Sequence, residues 1–391
     1  MSGLTSGADL GVYVHVPFCE HVCPYCDFAV EGVGQLEPAL EQAYVEGLLR
    51  ELKLARKELG ERLAERELAT LYFGGGTPSL LQPASVERLV DAICAVFQGP
   101  PGEVTLELNP GIPECARAPD FRAAGVTRLS IGLQSLRDTT LKRLGRAHKG
   151  AEALRGLEAC LAVGFPSLSV DLIHGAPDQT EDDLLDDLER VIDFGIPHVS
   201  AYALTIEAGT PFARAYARGQ LRLPHEDAAV RMGLRLGERL AAAGYAQYEI
   251  SSFAQPGHRS QHNQRYWRRQ DVLGLGISAA SLLGDLRFQN VKDRGAWQLA
   301  LGAGRRPLLE LETLSLEDAR RETLYLGFRL LDGISRADYG RDFGATPEQH
   351  FGEQLEELRE LDLICESSGH LRLTERGILF ADEVFLRFVG R

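Results

Sequence analysis

Short apolar segments rich in β-branched residues alternate with amphipathic helical patterns along the first 250 residues, and this alternation limits the fold more than any other feature. Between the apolar segments, hydrophobic residues recur at helical spacing, for example after Thr180, a candidate N-cap. Six such units predict an α/β fold with a parallel sheet and right-handed crossovers. The candidate strands are residues 11–18, 68–75, 103–109, 126–133, 168–175 and 198–205.

Length and composition restrict the classes of function. A chain of 391 residues is too long for one ordinary core, so two or three domains are expected. The apolar share of 44% is typical of a globular protein, and no run of about 18 apolar residues could span a membrane. The first residues, MSGLTSGADLG, lack a secretory signal pattern, which predicts a cytoplasmic location and at most peripheral membrane contact. The net charge of −14 argues against nucleic acid as a partner.

Three of the seven cysteines, Cys19, Cys23 and Cys26, have the spacing C-x3-C-x2-C. In a reducing compartment, cysteines this close bind metal or do redox chemistry more often than they form disulfides. Structural zinc takes four ligands, and the nearest other cysteine, Cys94, lies far along the chain in a helical pattern. Three thiolates suit a [4Fe-4S] cluster with one iron left open. A zinc knuckle with a distant fourth ligand and a chance arrangement are the alternatives.

The segment VYVHVPFCEHVCPYCDF resembles the radical S-adenosylmethionine (SAM) proteins, in which an aromatic residue, here Tyr25, precedes the last cysteine. Its flanks resemble the oxygen-independent coproporphyrinogen III oxidase family. The oxidase branch of that family has a further cysteine where this chain has Phe28, and the form with phenylalanine is typical of the heme chaperone branch, HemW. The resemblance implies a partial (β/α)6 barrel whose [4Fe-4S] cluster binds SAM at the carboxyl ends of the strands.

Further motifs follow the predicted strands in the order that the same resemblance implies for a SAM pocket. The stretch YFGGGTPSLL matches the glycine motif that contacts the methionyl part of SAM, although glycines after a strand also serve turns alone. Glu107 could instead be a solvated loop acid, and Asp171 a structural acid of the barrel. No residue is assigned a catalytic role. The candidate SAM-binding residues are Tyr13, Tyr25, Gly75, Gly76, Thr77, Glu107, Gln134, Arg146, Asp171 and Ala203.

A second distinctive block, residues 245–281, contains HNQRYW, which matches the H-N-x-x-Y-W motif proposed to contact heme in the chaperone branch. His262 is therefore a candidate iron ligand, and Tyr266 and Trp267 are candidate porphyrin contacts. Alternatively, His262 is a hydrogen-bonded interior histidine, and the two aromatic residues pack a seam between domains. Related chains have a histidine where this chain has Ala280, so the role of that imidazole is lost or moved here.

The pattern changes near residue 305, where helical stretches precede LICESSGHLRLTERG, which predicts two strands joined by a glycine-containing turn. Helices followed by such a β-wing predict a winged-helix-like α+β domain. From residue 313 onwards acids outnumber bases 16 to 10, which argues against DNA as its ligand. The predicted division is a barrel at 1–250, a connecting segment with the HNxxYW motif at 251–304, and the C-terminal domain at 305–391.

For function, the resemblance implies a heme chaperone that binds a [4Fe-4S] cluster, SAM and heme as cargo. Such a protein passes heme to a respiratory apoprotein, and a homodimer is an expected assembly. Phe28, the H-N-x-x-Y-W motif and the short segment of 12 residues before Tyr13 favour this branch. The alternative is an oxidoreductase of porphyrin biosynthesis, in which a SAM-derived radical starts the oxidative decarboxylation of two propionates of coproporphyrinogen III. A radical reaction on another substrate is a further alternative, so enzymatic status stays open from the sequence.

Overall fold

The computed structural model describes residues 7–389 of the chain. Residues 1–6, on which the expectation about a secretory signal partly depends, lie outside the described residues. The outer bounds of the predicted domains, at residues 1 and 391, also lie outside them. Within the described part of the chain, no helix is long and apolar enough to cross a lipid bilayer.

All six predicted strands are present, with ends within two residues of the predicted ones, as β1, β4, β5, β6, β7 and β8 of the numbering below. The described strands that precede the C-terminal domain are β1 (Asp9–Val16), β2 (Phe18–Cys19), β3 (Glu31–Gly32), β4 (Glu67–Gly75), β5 (Glu103–Leu108), β6 (Arg128–Gln134), β7 (Ser167–His174), β8 (His198–Ala203), β9 (Ala246–Glu249), β10 (Ser252–Ala254), β11 (Val272–Leu275), β12 (Ala280–Leu283), β13 (Leu286–Asn290) and β14 (Leu308–Thr313).

These six strands run parallel in the order β1-β4-β5-β6-β7-β8 within a sheet of twelve. Because side chains alternate along a strand, Tyr13 and its partner Tyr72 point to the same face. Gly75 of β4 and Tyr202 of β8, near the two ends of the series, line one cavity. The sheet is therefore curved around that cavity, and the predicted α/β class is confirmed.

Helices connect the strands and cover the outer face of the sheet. Helix α8 begins after Thr180, whose hydroxyl accepts the Asp183 N–H at 3.2 Å, as expected for an N-cap. The helices before the C-terminal domain are α1 (Pro38–Glu58), α2 (Gly60–Leu63), α3 (Pro83–Cys94), α4 (Ile112–Cys115), α5 (Ala118–Ala123), α6 (Asp138–Arg143), α7 (Gly150–Ala162), α8 (Glu181–Asp193), α9 (Pro211–Ala217), α10 (Glu226–Ala242), α11 (Gln261–Trp267) and α12 (Arg294–Gly302).

One continuous apolar cluster lies between the sheet and these helices. Val12 and Val14 of β1 belong to it, together with Leu184 and Leu188 of α8. Cys160 of α7 is a fully buried member of the same cluster, with the role of a small core residue. Each large apolar side chain contributes about 1.5–3 kcal/mol when it is buried, so this cluster holds the strand ends in fixed positions.

The segment predicted as a connection supplies strands to both edges of the large sheet. Strand β10 pairs antiparallel with β8, and β11 pairs in parallel with β1. From β11 the sheet continues antiparallel through β12 and β13 to β14, past the boundary expected near residue 305. These edge strands are only three to six residues long, too short to show a clear alternating pattern in the sequence.

The C-terminal domain has its own apolar cluster, which includes Leu324, Phe328, Leu355 and Phe388. The predicted wing is present as β16 (Ile364–Ser367) and β17 (His370–Leu373), and a third strand, β15 (Ile334–Ser335), pairs with β17. Its elements are α13 (Leu316–Gly327), β15 (Ile334–Ser335), α14 (Arg336–Phe343), α15 (Pro347–Glu360), β16 (Ile364–Ser367), β17 (His370–Leu373), α16 (Glu375–Leu379) and α17 (Ala381–Leu386).

Candidate functional site

A cavity of about 650 Å³ opens at the carboxyl ends of the six parallel strands, where such folds place their ligands. Its wall contains the motif cysteines Cys19, Cys23 and Cys26. It also contains nine of the ten candidate SAM residues, namely Tyr25, Gly75, Gly76, Thr77, Glu107, Gln134, Arg146, Asp171 and Ala203. The tenth, Tyr13, is not part of this wall.

The cysteine loop is positioned by contacts with its neighbours. Strand β2 pairs with β3 across the loop, and the Cys26 N–H donates to the Cys23 carbonyl at 3.1 Å. The Thr77 hydroxyl donates to Cys19 Sγ at 3.7 Å, and Arg146 Nη1 donates to Cys23 Sγ at 3.6 Å. The three thiols form no disulfide bond and are partly exposed on the cavity wall. They are therefore accessible to a metal centre in the cavity.

The chemistry of these donors fits an iron–sulfur cluster. Burial raises the pKa of Cys19 to about 11 and also raises the pKa of Cys26, so both thiols keep their protons at neutral pH until a metal displaces them. Among residues 7–389, no three His, Cys, Asp or Glu side chains surround a position for a single metal ion. Three thiolates suit a [4Fe-4S] cluster, which Cys19, Cys23 and Cys26 would hold at the cavity wall.

The glycine run after β4 lets separate chain segments meet at the cavity. Gly75 has a φ of +112°, and a Cβ there would lie 2.5 Å from the His15 ring. A Cβ on Gly76 would lie 2.7 Å from the Phe18 carbonyl oxygen, which directly precedes Cys19. Any larger residue would push the glycine loop away from the cysteine loop.

Arg146 and Gln134 present unpaired polar atoms at the cavity. Arg146 Nη2 donates to Asn109 Oδ1 at 2.6 Å and to the Gly132 carbonyl at 2.9 Å. Arg146 Nε and Gln134 Oε1 are buried without a hydrogen-bond partner among the described residues. Gln134 also has a φ of +59°, a strained conformation that is often found at functional sites. A carboxylate near Arg146 and an amino group near Gln134 would satisfy both atoms.

Two carboxyl groups lie deeper in the cavity. Glu107 Oε1 accepts the Tyr72 hydroxyl at 2.8 Å, and Glu107 Oε2 accepts the Gly75 N–H at 3.1 Å. Asp171 Oδ2 accepts the Ser130 hydroxyl at 3.4 Å. Burial raises the pKa of Glu107 to about 7 and that of Asp171 to about 6. Glu107 is thus not a solvated loop acid, and both groups can accept ligand hydroxyls or hold a proton near neutral pH.

Sequence reasoning did not select two residues that shape this site. His15 Nε2 donates to the Ala29 carbonyl at 2.8 Å, and its Nδ1 accepts the Tyr13 hydroxyl at 3.1 Å. His15 therefore supports the glycine run and the cysteine loop together. Tyr13 does not line the cavity and contacts the site through its hydrogen bond to His15. The second residue, Asn109, joins Arg146 to Thr77, with its Nδ2 3.1 Å from the Thr77 hydroxyl. In the sequence, the Asn-Pro pair after β5 indicates a turn and could have drawn attention to Asn109.

The H-N-x-x-Y-W motif forms α11 and lies at the opposite end of the barrel. His262 is fully buried, its Nδ1 is 2.8 Å from Thr70 Oγ1, and its Nε2 is 3.0 Å from Tyr266 Oη. Burial, and then the Arg265 charge, lower the pKa of His262 to about 3, so its ring is neutral. The structure thus places His262 as a hydrogen-bonded interior histidine, and iron ligation would require it to leave both partners.

Trp267 packs at the seam between the barrel and the C-terminal domain. The Arg329 guanidinium lies 4.3 Å from the centre of its indole ring. Tyr266 faces inward to His262, so the two aromatic residues of the motif have different surroundings. Ala280, where the resemblance implies a histidine in related chains, is exposed at the start of β12. Neither His262 nor Ala280 lines the cavity that contains the cysteines.

Comparison with known proteins finds similarity in both the barrel and the C-terminal domain. The model of the Radical SAM superfamily matches residues 13–191, and that of the HemN C-terminal domain matches residues 314–380. The chain is 35% identical to "Heme chaperone HemW" of Escherichia coli K12 over 97% of this chain and 98% of that protein. It is also 35% identical to "Heme chaperone HemW" of Mycobacterium tuberculosis H37Rv, over 98% and 96% of the two chains.

Among solved structures, coproporphyrinogen III oxidase (HemN) from Escherichia coli has a similar fold. Its TM-score is 0.81 at 24% identity, over 97% of this chain and 90% of that chain. The likeness therefore covers the barrel, the edge strands and the C-terminal domain together. At this identity it concerns the fold alone.

Proposed function

We propose that this chain, which belongs to the HemW- and HemN-like family of radical SAM proteins, is a heme chaperone. It would bind heme and deliver it to a respiratory apoprotein. The observation that carries the proposal is the similarity to proteins named heme chaperone HemW, which extends over nearly the whole chain. We also propose that two copies of this chain form a homodimer.

Phe28 supports the chaperone over the oxidase. Its side chain is 65% exposed and lies on the cavity wall, two positions after Cys26. The oxidase branch would have a further thiol there. A phenyl ring offers neither a metal ligand nor a redox group, so this site has three sulfur donors in the loop.

In the proposed site, Cys19, Cys23 and Cys26 would hold a [4Fe-4S] cluster, which would supply an open iron and an electron source. Arg146 and Gln134 would orient the carboxylate and amino groups of SAM, because both have unpaired buried atoms at the cavity. Glu107 would accept the ribose hydroxyls. Thr77 and the glycine run would keep these groups beside the cysteine loop.

Coproporphyrinogen oxidation is the second candidate, because Glu107 and Asp171 give this cavity two carboxyl groups with a raised pKa. Such groups could exchange protons with a substrate. The HemN-like fold agrees with this candidate, although the curated relatives over the full chain are named as chaperones.

One experiment separates the two functions. The cluster is assembled anaerobically in the full chain, and one sample receives coproporphyrinogen III with SAM and a reductant, while another receives heme. The chaperone proposal expects one heme bound per chain, no protoporphyrinogen, and loss of the heme spectrum from the chain when an apocytochrome is added. Formation of protoporphyrinogen, or no heme binding, would contradict it. Phe28→Cys is the matched variant, and it should not gain oxidase activity by itself.

A further inference from the structure

A second and larger cavity, of about 1260 Å³, lies between the barrel and the C-terminal domain. It borders Asp9 at the start of β1 and Asp271 just before β11, so it opens at the end of the sheet opposite the cysteines. Its other wall is formed by α13, α14 and the turn of the wing. None of its lining residues belongs to the SAM site.

Part of this wall is apolar and suited to a flat hydrophobic ligand. Trp267 of the H-N-x-x-Y-W motif lines it from the barrel side. Leu330, Leu331 and Phe343 line it from the C-terminal domain, and the latter two remain partly exposed. A ligand between these residues would contact both domains.

His370 on the wing is the histidine of this cavity wall, and its hydrogen bonding leaves one nitrogen free. Its Nδ1 lies 3.1 Å from the Ser368 carbonyl oxygen, which can only accept, so Nδ1 carries the proton. Nε2 therefore has a lone pair, and no partner for it is found among residues 7–389. A histidine whose other nitrogen donates to a backbone carbonyl is the usual arrangement of a metal-ligating imidazole.

The wall also contains two guanidinium groups without a carboxylate partner in the described part of the chain, Arg268 and Arg372. Arg268 donates only to the neutral amide of Gln264, at 3.0 Å. The other arginines of this wall have partners within 3.0 Å, namely Arg265 with Asp9, Arg269 with Glu322 and Arg341 with Asp338. Two cationic groups without carboxylate partners, beside the apolar part of this wall, suit a ligand with two carboxylates.

We propose that this cavity carries the heme, with His370 Nε2 as an iron ligand and with Arg268 and Arg372 as partners of the two propionates. The proposal rests on the proposed chaperone function and gives its cargo a site separate from the cluster. Trp267, rather than His262, is then the residue of the H-N-x-x-Y-W motif that touches the porphyrin.

The test is a titration of the full chain with ferric heme, followed by the Soret absorption and the spin state of the iron. His370→Ala should weaken binding roughly tenfold and change the spin state, because it removes one iron–nitrogen bond. The variant Arg268→Glu/Arg372→Glu should also weaken binding roughly tenfold or more, without altering the spin state. His225→Ala, at an exposed histidine that precedes α10 and does not line this cavity, is the matched control and should bind heme as the natural chain does.

Metal-free protoporphyrin IX separates the two contacts. Its affinity should be unchanged in His370→Ala, since it has no iron to ligate, and lowered in the double arginine variant. Heme binding by the natural chain with an unchanged affinity and spectrum in all these variants would overturn this site and leave the chaperone function standing. Absence of heme binding by the natural chain would overturn both.

Discussion

The two sequence motifs lie at opposite ends of one barrel, and the polar side chains at the two ends differ in their hydrogen bonding. At the cysteine end, Gln134 Oε1 and Arg146 Nε are buried without partners, and three thiols border a cavity. At the other end, both ring nitrogens of His262 lie within 3.0 Å of a hydroxyl oxygen. At the cysteine end the unpaired atoms could bind a ligand, whereas at the other end both nitrogens of the His262 imidazole already have hydrogen-bond partners. The unpaired atoms of Gln134 and Arg146 therefore indicate a ligand at the cysteine end, whereas the imidazole of His262 gives no such indication.

The largest expected effect concerns the cysteine loop. Cys23→Ala should abolish cluster binding, because the cluster loses one of its three sulfur donors. Iron and acid-labile sulfide per chain, measured after anaerobic assembly, should fall to near zero. Cys94→Ala is the matched control, since Cys94 ends α3 and does not line the cavity. Full iron content in the Cys23 variant would contradict the assignment of the loop.

At the opposite end, His262→Ala should destabilise the fold by ~2–4 kcal/mol, because it opens a cavity and leaves the hydroxyls of Thr70 and Tyr266 unpaired. Denaturant unfolding of the apoprotein measures this cost. The exposed His225→Ala, which removes only a long capping contact to the Asp227 N–H, should cost at most ~1 kcal/mol. A stable His262 variant that lost heme binding would reverse the comparison, since His262 would then be a ligand.

The same histidine predicts a pH dependence. In the fold its pKa is lowered to about 3 by burial, and in the unfolded chain it returns to about 6.5. The unfolded state then binds more protons between these values, so His262 lowers the stability as the pH falls from about 6.5 towards 3. His262→Ala should have a shallower loss of stability with acid than the natural chain has. Equal slopes would show that His262 is not held neutral.

The glycine run should show an intermediate effect. Gly75→Ala should lower SAM affinity and cost ~1–3 kcal/mol, because a Cβ would meet the His15 ring at a residue with positive φ. Gly34→Ala is the matched control, since Gly34 has a φ of +63° but open space around its Cβ position. Isothermal titration with SAM should separate them. Equal SAM affinity in both variants would show that the close approach of Gly75 is unimportant.

The smallest effect is expected at Glu107. Its pKa is raised to about 7 by burial, so from about pH 4.5 to 7 the fold holds a proton that the unfolded chain has lost. Glu107 therefore lowers the stability of the apoprotein as the pH rises through this range. Glu107→Gln should be more stable than the natural chain at pH 7.5 by ~1 kcal/mol, with a smaller difference at pH 5. An unchanged difference between the two pH values would contradict a buried, protonated Glu107.

The sequence predicted the six parallel strands, because strand periodicity is local, and the resemblance to radical SAM proteins supplied nine of the residues that meet at the cysteine end. It could not decide the role of His262, since whether Thr70 and Tyr266 satisfy the imidazole depends on packing between distant segments. It missed His15, which acts through contacts with Ala29 and Gly75 rather than through a ligand. It also missed the second cavity, which arises only when the wing meets the barrel.

The central claim is that the cavity at the carboxyl ends of the strands holds a [4Fe-4S] cluster with one iron free to bind SAM. Electron paramagnetic resonance of the dithionite-reduced, anaerobically assembled protein tests it most directly. We expect the signal of a reduced [4Fe-4S] cluster, with g values that shift when SAM is added and that do not shift in an Arg146→Ala/Gln134→Ala variant. A protein that carries only zinc, or a cluster signal that SAM leaves unchanged, would contradict the claim.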